Sequence, residues 1–251
     1  MDYLAPGTLD EAYRALETDD ARCLAGGQSL VAMMNLGLVS PARLVSLRRI
    51  RALRGIEPQP DGSLRIGAMT THAELVALKH PAAGPSLLAQ AASVVAYPAV
   101  RMWGTIGGSV AHADPAADYP VVLVAAGATI EVGSARGTRR ITALDFFRGL
   151  FETALAKGEI VTAIHLPAGP KGERAAYEKL SLVVGDFAIL SVAAIGTQVA
   201  VGGCGPRPLR LARVEDAARI EFPSDHRASA AYRRRVLPEL IRRAVGKCTS
   251  H

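Results

Sequence analysis

Two glycine pairs are the residues of this chain best suited to hold an anion. The first stands in Ala25-Gly26-Gly27-Gln28-Ser29-Leu30. The second, about eighty residues on, stands in Thr105-Ile106-Gly107-Gly108-Ser109, with Asp114 and Asp118 close behind. Each pair breaks an apolar run with small and polar residues. Glycine has no Cβ, so backbone can approach a ligand closely, and N–H groups at such a turn can point at phosphate oxygens. Two such loops can hold a long diphosphate cofactor from both sides. Neither pair is specific alone, because Gly-Gly is more often a plain turn. Neither carries the spacing G-x-G-x-x-G, and no G-x-x-x-x-G-K-[ST] occurs.

The elements that must position these loops are legible from pattern. Thr8 and Glu11 read as a capping box opening a helix through about Glu17, followed by a strand at 22–25. The first glycine loop therefore lies between that strand and a helical run, Leu30-Val31-Ala32-Met33-Met34-Asn35, where an anion is favoured. Strands are expected at 43–47 and 62–68. A second capping box, Thr71 to Glu74, opens a helix, and another helix runs over 86–97 up to Pro98. The second glycine loop follows, with a helix opening at Asp118-Tyr119-Pro120 and strands at 129–132, 139–142 and 160–166. Pro167-Ala168-Gly169-Pro170-Lys171-Gly172 reads as a linker. Beyond it, 177–184, 189–195 and 198–202 read as antiparallel strands with a tight turn at Gly196-Thr197, and a basic amphipathic helix covers 229–245.

Composition narrows the function classes. At 251 residues and 49% hydrophobic, the chain can bury a substantial core and is not disordered in character. Aromatics are 5%, too few for a base-stacking platform. The net charge of +6 is spread over clusters such as Arg48-Arg49-Ile50-Arg51 and Arg233-Arg234-Arg235. These read as solvated faces or as docking surfaces for another subunit, and no nucleic-acid motif accompanies them. Cys23, Cys204 and Cys248 stand far apart, which argues for free thiols and a reduced, cytoplasmic setting. An iron–sulfur cluster normally takes four cysteines, so this chain holds none alone. Six scattered histidines show no metal-site spacing, and no triad or carboxylate pair marks a catalytic centre. No signal peptide and no transmembrane segment are expected.

The words LAGGQSLVAMMNLG and RMWGTIGGSVAHADPAADYP, in that order and at that separation, resemble the FAD-binding medium subunit of the molybdenum hydroxylases, the family of carbon monoxide dehydrogenase and xanthine dehydrogenase. Asp2-Tyr3-Leu4-Ala5-Pro6, Tyr177-Glu178-Lys179-Leu180, Gly185-Asp186-Phe187-Ala188-Ile189 and Gly202-Gly203-Cys204-Gly205-Pro206-Arg207-Pro208 extend the likeness over nearly the whole chain. It implies an α+β fold: a two-lobed FAD-binding domain of the PCMH/vanillyl-alcohol-oxidase type at 1–168, its lobes about 1–57 and 58–168, then a C-terminal antiparallel-sheet-and-helix domain at 173–251.

The resemblance also implies the site. FAD would be bound by Leu24, Ala25, Gly26, Gly27, Gln28, Ser29, Leu30 and Val31 on one side, and by Thr105, Ile106, Gly107, Gly108 and Ser109 on the other. Asp118 would contact the ribose or adenosine end, or else simply cap a helix at Pro120. Lys179 would lie near the flavin, or else be an exposed strand lysine. Asp114, His112, Phe187 and Trp103 are weaker candidates, with loop or packing roles as alternatives. Relatives usually carry basic residues where this chain has Ser181-Leu182-Val183-Val184. A large subunit with a molybdenum-pterin cofactor and a small subunit with [2Fe-2S] clusters are the implied partners, and a dimer of heterotrimers is the implied assembly. Electrons would pass from the clusters to an external acceptor. A stand-alone flavoprotein dehydrogenase or oxidase, or a scaffold with a degenerate cofactor site, remains open at this point.

Overall fold

A computed structural model describes residues 1–80, 83–169 and 172–249. The expected linker at 167–172 thus lies partly outside the described residues. The chain opens with β1 (Asp2–Leu4), α1 (Leu9–Ala15), β2 (Ala21–Leu24), α2 (Leu30–Asn35) and β3 (Arg43–Ser46). β3 lies between β1 and β2 and runs parallel to both. The Thr8 hydroxyl caps α1 by accepting the Glu11 N–H at 3.2 Å, while the Glu11 carboxylate takes the Gly7 N–H at 2.8 Å. Only half of the expected capping box therefore forms at Thr8.

The middle of the chain supplies β4 (Ile56–Pro58), β5 (Leu64–Gly67), α3 (His72–Val76), α4 (Ala83–Ser93), α5 (Pro98–Arg101), α6 (Ile106–His112) and α7 (Asp118–Ala125). Then come β6 (Thr129–Ser134), β7 (Gly137–Thr142), α8 (Ala143–Phe146), the small hairpin β8 (Phe147–Gly149) with β9 (Glu152–Thr153), and β10 (Ile160–Leu166). The strands pair antiparallel in the order β4-β5-β10-β6-β7. At Thr71 the capping box is complete: its hydroxyl accepts the Glu74 N–H at 3.2 Å, and the Glu74 carboxylate accepts the Thr71 N–H at 2.7 Å. α4 stops at Ser93, four residues short of expectation. Arg101 collects the carbonyls there, donating to Ser93, Val95 and Ala96 at 2.9–3.3 Å, as cations do at helix C-termini.

The last unit is β11 (Ala175–Leu180), β12 (Leu190–Ile195), β13 (Gln198–Gly202), β14 (Leu209–Leu211) and α9 (Ala230–Thr249), with the four strands antiparallel in sequence order. Strand side chains alternate between faces. Val192, Ala194, Val199 and Val201 accordingly pack with α9, whereas Ala193, Ile195 and Ala200 join the larger core of the first 168 residues. α7 sits between the two. All eight of its residues are buried, Asp118 included, so it is apolar nearly all round as an interior helix must be.

Two expectations about local structure change. Gly107 and Gly108 are not a loop; they lie in the first turn of α6, which Thr105 caps by accepting the Gly108 N–H at 3.1 Å. The strand expected to reach Val184 ends at Leu180. Residues 181–187 turn back, with the Asp186 N–H on the Val183 carbonyl at 3.1 Å, and leave Leu182, Val183 and Val184 exposed.

Candidate cofactor site

A cleft of about 470 Å³ opens between the β2–α2 turn, the start of α6, the 68–72 strap, the 95–100 turn and Phe187. Its donors come from the first loop. Residues 26–29 follow β2 with Gly27 at φ +74°, a backbone state that suits glycine. Among the described residues, the N–H groups of Gly26, Gly27, Gln28, Ser29 and Leu30 find no acceptor. Five successive unsatisfied donors beside an open cleft form a concave nest for an anion. The Ser29 and Ser109 side chains, both on the cleft wall, make no hydrogen bond to other described residues. Gln28 folds back, its Nε2 donating to the Gly26 carbonyl at 3.2 Å.

The second glycine pair works differently. The Ile106 N–H donates to Thr70 O at 3.0 Å, Gly107 to Ala68 O at 2.8 Å, Gly108 to Thr105 Oγ1 and Ser109 to Thr105 O at 3.0 Å. These four backbone donors are engaged within the protein, so they are not available to a diphosphate. The absence of side chains serves packing instead. A Cβ on Gly107 would lie 2.5 Å from Ala68 Cβ and 2.7 Å from its carbonyl oxygen. A Cβ on Gly26 would run into the Trp103 carbonyl and lie 2.8 Å from Gly104 Cα. Gly108 faces the first loop, its Cβ position 3.5 Å from Ala25 Cβ. The glycines thus let α6, the strap and the first loop close on one another, and the cleft is what remains between them.

Of the residues singled out from sequence, Ala25, Gly26, Gly27, Gln28, Ser29, Leu30, Thr105, Gly107, Gly108, Ser109 and Asp118 line the cleft. Leu24, Val31, Ile106 and Lys179 do not. Leu24 is paired in β2, Val31 points outward, and Ile106 is wholly buried. Lys179 is neither an exposed strand lysine nor a cleft residue. Strand alternation puts Tyr177 and Lys179 on the face toward α7, where Lys179 Nζ meets the Asp118 carboxylate at 3.0 Å and Val94 O at 3.1 Å. Tyr177 Oη donates to the same carboxylate at 2.7 Å. Asp118 is the first residue of α7, with Ala117 as the cap, so the helix-cap alternative is set aside. Burial pushes its carboxyl upward in pKa, against the pull of Lys179 and Tyr177.

His112 and Asp114 line the cleft as well. His112 packs against Phe151 with centroids 5.0 Å apart and the rings tilted by 40°, and burial lowers its pKa. Asp114 takes the Ala116 N–H at 2.8 Å and shapes the entry to α7. Phe187 forms part of the wall, with the Arg227 guanidinium 5.5 Å over its ring. Trp103 stays outside, half exposed beneath Arg48. Sequence reasoning missed Glu159 and His72. Glu159 is held ionised by Arg139 at 2.7 and 2.8 Å. His72 sits on the cleft wall bonded to Tyr119. The Thr71 capping box was the available signal for His72, since it makes that residue the first of α3.

The chain was compared with known proteins. Residues 1–169 match the family described as the FAD binding domain in molybdopterin dehydrogenase. The glyceraldehyde dehydrogenase medium chain of Sulfolobus acidocaldarius is 36% identical over 96% of both chains. The carbon monoxide dehydrogenase medium chain of Afipia carboxidovorans is 34% identical over 98% of this chain and 95% of its own. Among solved structures, a carbon monoxide dehydrogenase from Hydrogenophaga pseudoflava superposes with a TM-score of 0.93 at 33% identity, covering 99% of this chain and 96% of that one. Quinoline 2-oxidoreductase from Pseudomonas putida gives 0.90 at 31%, covering 99% and 96%. A cleft of about 470 Å³ lined by open backbone donors and a family match over two thirds of the sequence lead to one conclusion: the chain belongs to the FAD-binding medium subunits of the molybdenum hydroxylases.

Proposed function

We propose that this chain carries FAD in the cleft and acts as the electron-transfer subunit of a molybdenum hydroxylase, taking electrons from the [2Fe-2S] clusters of a partner and delivering them to an external acceptor. The observation that carries the reading is the nest of five open N–H groups at 26–30 facing a cleft of about 470 Å³. Bound FAD would supply the two-electron store that couples the clusters to the acceptor.

The chain's own residues bind and orient. The nest holds the diphosphate, with the Ser29 and Ser109 hydroxyls as added donors. Gly26 and Gly107 hold the two sides together. Asp118 keeps lone pairs beyond those used by Tyr177 and Lys179 and takes a ribose hydroxyl, while Lys179 acts from behind the wall by fixing Asp118. Met69, Val95, Val100, Val161 and Phe187 present apolar surface that excludes water around a ring. No residue of this chain needs to move a proton from substrate. The partners are a large subunit with the molybdenum-pterin cofactor and a small [2Fe-2S] subunit, assembled as a dimer of heterotrimers in the cytoplasm. Among the described residues no helix is long and apolar enough to cross a membrane. The family match ending at 169 supports a division into an FAD-binding domain at 1–168 and a second domain at 173–251.

Co-purification from the native host, followed by an absorbance spectrum and metal analysis, tests the reading. Flavin, iron and molybdenum in one complex is the expected result. A colourless chain that takes up no FAD overturns it, and substrate-driven bleaching of the isolated chain would instead make it a self-sufficient flavoprotein.

A further inference from the structure

Among the described residues, His72 is the one buried titratable side chain in the cleft wall with an open ring nitrogen and a tautomer set by a buried partner. Its Nδ1 lies 2.9 Å from Tyr119 Oη. Tyr119 is fully buried, and His72 is the partner of its hydroxyl among the described residues. If Nδ1–H donated to the phenol oxygen, the phenol proton would be left without an acceptor in the interior, which is costly. The phenol therefore donates, Nδ1 accepts, and the ring proton sits on Nε2. Burial keeps this phenol protonated, and burial with Arg101 nearby keeps the imidazole neutral, its pKa lowered to about 4. The Nε2 edge lies against Gly104, where a Cβ would stand 2.6 Å from both Nε2 and Cδ2. Gly104 in turn adjoins Gly26, at the start of the open N–H groups. Nε2 has no acceptor among the described residues, and the ring lines the cleft.

Building on the assignment of the cleft to FAD, we propose that His72 is a cofactor-binding residue: its Nε2–H, aimed by Tyr119, donates to an oxygen of the FAD diphosphate beside the 26–30 nest. A neutral donor here adds a directed hydrogen bond to an anion without bringing a second buried charge into the wall. Gly104 is required so that the ring can reach this place.

The test uses the full chain stripped of FAD. His72→Phe keeps the ring and removes both nitrogens, and His72→Gln restores an N–H near the Nε2 position. Titration with FAD, followed by quenching of flavin fluorescence, should show a dissociation constant raised about tenfold in His72→Phe and recovered in part in His72→Gln. Thermal melting without FAD checks that both variants fold. If His72→Phe does not fold, nitrogen NMR of the wild-type chain decides: the proton is expected on Nε2, and FAD should shift that resonance. Unchanged affinity in folded His72→Phe, or an Nε2 signal indifferent to FAD, overturns the inference while leaving FAD in the cleft. A wild-type chain that binds no FAD at all overturns both.

Discussion

The Lys179 ammonium lies 3.0 Å from the Asp118 carboxylate, and both side chains are more than nine-tenths buried. The pair ties the first strand of the C-terminal sheet to the helix behind the cofactor cleft. Lys179 also reaches the Val94 carbonyl at 3.1 Å, so one side chain joins β11, α7 and the turn that follows α4. Removing one partner of a buried pair leaves the other charge uncompensated. Lys179→Met is therefore expected to destabilise the chain by about 3–5 kcal/mol in urea unfolding, and adding Asp118→Asn should recover part of that loss. A Lys179→Met chain of unchanged stability that alters only flavin behaviour would place the lysine at the cofactor instead.

Gly107 separates packing from ligand binding. Its Cβ position falls 2.7 Å from the Ala68 carbonyl oxygen, and overpacking of that kind costs about 1–3 kcal/mol. Gly107→Ala should lower the melting temperature of the FAD-free chain and also the flavin content of the chain as purified. Loss of flavin with an unchanged melt would mean that the glycine serves the ligand alone.

Gly27 is the complementary case. Its φ of +74° is left-handed, and an added Cβ costs about 1–2 kcal/mol there. The added atom would also stand 3.2 Å from Val31 Cγ2. Gly27→Ala should weaken FAD binding about tenfold or more by turning the open N–H groups away, with a smaller loss of stability than Gly107→Ala. Equal affinity for FAD in a fluorescence titration would remove the nest from the site.

His72 gives the FAD-free chain a pH dependence of known sign. Its pKa is lowered from 6.5 to about 4 by burial. Between those values the unfolded chain binds the proton and the folded chain does not, so stability rises with pH across this window and is lost as pH falls through it. The full difference is about 3 kcal/mol. Urea unfolding of the wild type and of His72→Gln at pH 7 and near pH 4 should show the wild type losing more on acidification. Parallel losses would mean that this histidine titrates normally.

Much of the architecture was legible in the chain because local rules and tertiary structure agree. Thr8 and Thr71 cap helices where expected, the runs read as strands form β5, β6, β10 and β12, and Gly196 makes the hairpin turn with φ +55°. β4 was missed because Ile56-Glu57-Pro58 is too short to carry a period. Its pairing with β5 also puts this stretch, at the expected lobe boundary, in the second sheet. The helical state of Gly107 and Gly108 was missed because two glycines argue against helix locally. Bonds to Ala68, Thr70 and Thr105 outweigh that preference.

The sequence by itself determined the α+β order of elements, the two glycine-rich segments and their likeness to an FAD-binding family, because periodicity, caps and motif words are local properties. Tertiary structure alone decided what each residue of those segments does. Whether a backbone N–H is open to a ligand or engaged by a distant carbonyl, whether Lys179 meets Asp118, and whether Tyr119 fixes the proton of His72 all depend on contacts between residues far apart in the chain. Spacing along the sequence does not encode such distances; packing of α6, α7 and β11 around the cleft does.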